Sequence, residues 1–211
     1  MVAAQCVRAL AAQVDGSYDA PGRALYGPHR AESDQTTVSG TEAQTLAELA
    51  AREAIRQQLH NYCRAMDRRD DELGYAVWHE DGTADYGASV FQGAGRDFVD
   101  QVSRNHLRRS AHSHQIATIG IEVRGDRAAS ESYVTVRLRT AVAGGFTEEL
   151  YVGRYLDRWS RRDGRWAVDH RVWVLEFDEQ DRPATARLPG GGSRDTADPS
   201  YELFRGLRAD T

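Results

Sequence analysis

The chain has 211 residues, 40% of them apolar, and a formal charge of −5 with acids and bases interspersed. These values suit one domain with appendages around a single core, and they exclude a nucleic-acid stripe or a basic membrane-binding patch. All 27 basic side chains are Arg, which excludes a Schiff-base lysine from any mechanism.

In chain order, "MVAAQCVRALAAQVDG" lacks a basic n-region and a long apolar segment. A short helix near residues 3–13 is expected there, and a cytoplasmic location. Apolar runs fall well short of the ~20 residues of a membrane helix. Cys6 and Cys63 stand in unrelated contexts and build neither a disulfide framework nor a CxxC site. Residues 15–40 are rich in Gly, Pro, Ser and Asp without period and complete an N-terminal arm over 1–40.

Thr41 with Gln44 forms a capping-box pattern that predicts a helix running to about Met66. Ile55, Leu59, Tyr62, Cys63 and Met66 share one face of it, with Asp67 at the edge of that face. "DELGYAVWHE", started by Asp70 or Asp71, reads as a second helix, and 82–87 as a short strand. Residues 95–109 read as a third helix, with Phe98, Val99, Val102 and Leu107 inward.

Four strands follow, over 114–123, 129–142, 147–161 and 165–177. Val134, Val136 and Leu138 alternate with Thr135, Arg137 and Arg139, the period of a half-buried sheet. "RGDR" and "RRDGR" are hairpin links. His114, Ile116 and Thr118 have one parity and Ile119, Ile121 and Val123 the other, which predicts a bulge near Thr118. Residues 179–211 form a tail. The order α-α-β-α-β-β-β-β is an α+β arrangement in which a curved antiparallel sheet wraps the long helix and leaves a cavity.

His112 and His114 face the same way if their strand is regular. The pattern is open to three readings: two metal ligands, a base with a neighbour, or surface polarity. No third ligand stands at a convincing spacing, and His112 reads as a pocket-rim or solvent residue. Trp78, Tyr86 and Trp173 are candidate wall residues, with core packing the competing role. Arg154 lies between Val152 and Leu156 on an apolar face, where a charge needs a partner. It pairs there either with a substrate oxygen or with a sheet carboxylate.

"REAIRQQLHNYCRAMDRRDDELGYAVWHEDGTADYG", "FQGAGRDFVDQV", "AHSHQIATIGIEVRGDRAASESY" and "RYLDRWSRRDGRWAVDHR" together resemble SnoaL-like proteins of the nuclear transport factor 2-like superfamily. The resemblance spans about residues 43–178 and implies a cone-shaped domain over 41–178. Within that superfamily the chain looks closest to the scytalone dehydratase, bile-acid dehydratase and hexachlorocyclohexane dehydrochlorinase branch. The resemblance implies a His–Asp pair, Asp67 in "AMDRRD" and His114 in "HSHQIAT", with Tyr62 as a pocket phenol. Around "LYVGRYLDRW" the chain departs from the scytalone enzyme, offering Tyr151, Arg154 or Tyr155 in place of a second pocket histidine.

A His–Asp base abstracts a proton next to a carbonyl or activated ring. The expected activity is therefore a hydro-lyase or isomerase needing no cofactor and no metal, acting on a small cyclic substrate of secondary metabolism. Cyclisation of a polyketide-type substrate on the same pocket, or a non-catalytic binding or structural subunit, are the alternatives. The expected partners are that substrate and further copies of the chain, as a dimer or trimer through a sheet face carrying Tyr133, Val134 and Trp159. No nucleic acid or membrane partner is expected.

Overall fold

A computed structural model describes residues 40–184, 193–199, 201 and 202. The expected helix near 3–13 and the arm up to residue 39 lie outside the described residues. The described residues belong to one compact unit.

Helix α1 (Gly40–Arg68) buries Ala51, Ile55, Leu59, Tyr62, Ala65 and Met66. Their four- and three-residue spacings form a single apolar stripe. Ile55 and Leu59 are fully enclosed, each contributing about 1.5–3 kcal/mol of burial. Asp70 then caps α2 (Asp71–Ala76), its side chain accepting from the Leu73 amide at 3.1 Å.

The second helix stops at Ala76, short of the expected "DELGYAVWHE". Strand β1 (Trp78–Asp85) begins at Trp78, earlier than expected, because Trp78 pairs with Val168 of a later strand. Tertiary pairing overrides local helical pattern there. A three-residue strand, β2 (Gln92–Ala94), adds to the expected order before α3 (Gly95–His106). Because α3 ends at His106, Leu107 falls outside the inward stripe and is 58% exposed, against expectation.

Strands β3 (Ala111–Arg124), β4 (Arg127–Val142), β5 (Gly145–Arg162) and β6 (Arg165–Ala184) form the antiparallel meander. The six-stranded order is β2-β1-β6-β5-β4-β3, with β1 parallel to β6. The bulge falls where the parity break puts it: the β3–β4 register shifts between Ala117 and Ile119, with Thr118 at φ 49°. Further shifts interrupt β5 against β6 near Glu148, Val152 and Arg158, which bends the long strands around α1. Asp163 and Gly164, both at positive φ, form the tight turn from β5 to β6.

The inner face of the sheet carries Val134, Tyr155, Trp159 and Val168 onto α1 and Trp78. Val134 and Trp159 are therefore core residues, and only Tyr133 of the expected association face is exposed. The reason is parity: Tyr133 and Val134 are adjacent and point to opposite faces. Beyond β6, residues near 193–202 dock on the helix ends. Arg194 donates to the His106 carbonyl at 2.8 Å, Asp198 pairs with Arg68 at 3.3 Å, and the Tyr201 hydroxyl donates to Asp70 at 3.1 Å.

Candidate active site

The last turn of α1 and the first residues of β3 converge at one end of a cavity of about 620 Å³. Asp67 closes the helix and His114 lies on the inward parity of the strand. Both Asp67 oxygens accept from the His114 amide at 3.0 Å, and Oδ1 also accepts from His114 Nδ1 at 2.7 Å. A carboxylate can only accept, so Nδ1 carries a proton, and in the neutral imidazole the lone pair is on Nε2. The His114 side chain is 7% exposed and lines the cavity, and no described residue bonds its Nε2.

Two more histidines stand beside it. His106 lines the cavity and its Nδ1 donates to the Met66 carbonyl at 3.4 Å; His112 Nε2 donates to the same carbonyl at 3.0 Å. Met66 sits in the last turn of α1, whose carbonyls lack helical partners, so the two imidazoles cap that helix end. Their rings lie 4.1 Å apart between centroids. Burial, then the neighbouring imidazoles, pushes His106 down to about 3. Burial likewise takes His112 to about 4, against the pull of Asp67. Both are neutral at physiological pH.

Opposite lies an aromatic floor. The hydroxyls of Tyr62 and Tyr86 are 3.2 Å apart, and Tyr155 packs edge-on against Tyr62. Tyr86 stacks between Phe98 and Trp173 at 3.9 and 5.6 Å. Burial holds all three phenols well above the usual tyrosine range, so they are hydrogen-bond donors rather than phenolates. Arg171, fully enclosed beneath them, has its guanidinium 4.3 Å from the Tyr62 ring and 4.0 Å from that of Tyr155. Asp157 grips it through Nε at 2.7 Å and Nη2 at 2.8 Å. Burial pushes the Cys63 thiol up to about 12, which leaves it inert at neutral pH.

Of the residues expected at the site, Asp67 and His114 meet, and Tyr62, Tyr86 and Trp173 line the cavity with His114. Three do not. Trp78 is a core residue, fully buried against Gly95 instead of forming the wall. Arg154 lies on the outer face, bonded to Glu131 and Glu176 at 2.6 Å each. The inward residues of β5 are Gly153, Tyr155, Asp157 and Trp159, so the apolar neighbours Val152 and Leu156 mark the outer face. His112 meets the end of α1 in place of the cavity rim. Among the described residues no group of three or more His, Cys, Asp or Glu is arranged to hold a metal ion.

Of the three residues offered in place of a second pocket histidine, Tyr151 and Tyr155 line the cavity, and His106 and Arg171 are additions. His106 follows Val99 and Val102 at helical spacing, and Arg171 shares parity with Trp173, so a weak signal existed for each.

Residues 47–172 match the SnoaL-like domain family. No curated protein matches the chain. Among solved structures, a candidate scytalone dehydratase from Novosphingobium aromaticivorans is 22% identical, with TM-score 0.58 over 69% of this chain and 99% of that one. The hexachlorocyclohexane dehydrochlorinase LinA-type3 from Novosphingobium barchaimii is 18% identical, with TM-score 0.60 and the same coverages. An NTF2-like protein with a cystatin-like fold from Novosphingobium aromaticivorans is 24% identical, with TM-score 0.53 over 66% of this chain and 92% of that one. At these identities the likeness concerns the fold.

Proposed function

The chain belongs to the SnoaL-like domain family of the nuclear transport factor 2-like superfamily, and we propose that it is a lyase that eliminates water from a small cyclic substrate. The observation that carries this reading is the Asp67–His114 pair, which fixes the proton on Nδ1 and leaves the Nε2 lone pair on an aromatic cavity.

His114 Nε2 takes the proton from a ring carbon next to a carbonyl. The C–H electron pair moves into the enolate, and the imidazolium is stabilised by the Asp67 carboxylate. Tyr62 and Tyr86 donate to the enolate oxygen. Re-formation of the carbonyl expels the hydroxyl from the β-carbon, and that hydroxyl leaves as water with the proton held on His114. On a ring ketone with a β,γ-alkene the same first step gives a dienolate, and its reprotonation at the γ-carbon completes an isomerisation. Activation of a substrate hydroxyl by the same base gives a cyclisation.

The test is to incubate cyclic β-hydroxy ketones with the protein in deuterium oxide. Ultraviolet absorbance follows the conjugated enone, and mass spectrometry follows deuterium at the α-carbon. Enone formation that is lost in His114→Ala supports the lyase. Exchange without enone leaves the base standing and removes the elimination. Neither signal across the panel, with probes nonetheless bound in the cavity, favours a binding subunit and sinks the base.

A further inference from the structure

Among the described residues the cavity lining contains no aspartate or glutamate, although the chain carries 32 acidic residues. Its ionic lining groups are Arg108 and Arg109, together with the two histidines already described. His106 is neutral. Arg109 is neutralised: its guanidinium grips the Glu149 carboxylate with both nitrogens and also donates to the Thr140 hydroxyl at 2.9 Å. Among the described residues nothing pairs with Arg108. It stands on the exposed turn between α3 and β3 and lines the same cavity as the apolar Val90 and Phe98. Asp157 beneath the floor is neutralised by Arg171, and Asp67 lies behind His114 and places negative charge at that end.

We propose that the substrate is a ring compound bearing a carboxylate, and that Arg108 is the residue that holds it. This inference rests on the reading of the cavity as a substrate site. A planar guanidinium matches a carboxylate in two parallel hydrogen bonds, and a single uncompensated cation matches a monoanion better than a phosphate dianion. The side chain is exposed, so the attraction is strongest at low salt and is screened as salt rises. The arrangement also sets orientation. Asp67 repels the acid group from the base, so the acid lies toward Arg108, the ring lies along Tyr86, Phe98 and Trp173, and the reacting carbon reaches His114. The class of reaction that supplies such a substrate is one that leaves both a ring hydroxyl and a carboxylate on it.

The experiment is calorimetric titration of the full chain with 2-naphthoate and with 2-naphthamide, which share shape and differ in charge. At low salt the wild type binds the carboxylate about tenfold or more tighter than the amide, as a hydrogen-bonded ion pair provides. Arg108→Gln brings that ratio close to one, and 0.5 M salt, as the added condition, shrinks it in the wild type. Because Arg108 is exposed, a thermal melt of Arg108→Gln matching the wild type establishes that the fold is retained. A ratio near one in the wild type, a ratio that Arg108→Gln leaves unchanged, or no binding of either probe overturns the inference. The deuterium exchange assay separates this result from the base. Exchange with a ratio of one removes the acid-binding role and leaves the base standing, whereas a tenfold ratio without exchange removes the base and leaves Arg108 in place.

Discussion

Asp67 holds His114 by two separate handles, the backbone amide at 3.0 Å to each oxygen and the ring Nδ1 at 2.7 Å. The amide bonds anchor the carboxylate to the mouth of β3, so the ring is aimed by a group that cannot swing away. An Asp67→Asn side chain offers one acceptor and one donor in place of two acceptors. With its oxygen on the His114 amide, its NH₂ faces Nδ1 and forces the other tautomer, in which Nε2 carries the proton and cannot act as a base. The expected outcome is a fall in α-proton exchange of roughly a thousandfold or more with the fold retained. Nitrogen-15 spectra of the imidazole check the cause directly. An unchanged Nδ1–H tautomer in the variant, or an unchanged rate, contradicts the role assigned to Asp67.

The fully enclosed pair Arg171–Asp157 sets up a second prediction. Removing one partner strands a charge under three tyrosine and tryptophan rings, where water cannot reach it. Arg171→Met and Asp157→Leu, each alone, are expected to lower stability by about 3–5 kcal/mol, and the two together by much less than the sum. Urea unfolding of the four proteins gives the coupling. Additive losses would mean that the two side chains do not meet in solution.

Legibility along the chain followed how local each feature is. The bulge at Thr118 was legible because a parity break lies within a few residues of a single strand. The Asp67–His114 meeting came through family resemblance, since 47 positions separate the two and no local pattern joins them. Arg154 was placed inward because apolar neighbours usually mark a core face. Here the inward row contains Asp157, which looks like a surface residue until Arg171 is set opposite it. That pairing belongs to strand register and not to either strand's sequence. Trp78 shows the same limit: an aromatic residue between helix and strand signals burial, but whether it meets a cavity or a glycine depends on packing.

Trp78 owes its place to Gly95. A Cβ at residue 95 would lie 2.2 Å from the Trp78 ring, and the first turn of α3 has nowhere else to go. Gly95→Ala is therefore expected to destabilise by about 1–3 kcal/mol or more through overpacking. Gly120→Ala, where nothing lies within 4 Å, is the contrast. Its backbone is outside the left-handed region, so its effect is expected to stay within about 1 kcal/mol, on the stabilising side. Thermal melts of the two variants should differ by several degrees in that order. Equal melts would mean that the indole has room to shift.

The histidines that cap α1 make stability depend on pH in a definite direction. His106 is held down to about 3 and His112 to about 4, both below the ~6.5 of an unfolded histidine. Above pH ~6.5 both are neutral in the folded and unfolded chain and impose no pH dependence. As pH falls below that value the unfolded chain takes up protons that the folded chain refuses, so stability drops. Each histidine contributes a slope of about 1.4 kcal/mol per pH unit once its unfolded form is fully protonated, and the loss continues until the folded value near 3 or 4 is reached. His106→Phe, with its ring still stacked on His112, should remove one such slope and flatten urea-derived stability between pH 6 and 4 as the chosen window. It also removes the donor to the Met66 carbonyl, so the variant starts lower at neutral pH and loses less on acidification. A parallel offset at every pH would show that His106 gains protons alike in both states, contrary to its burial.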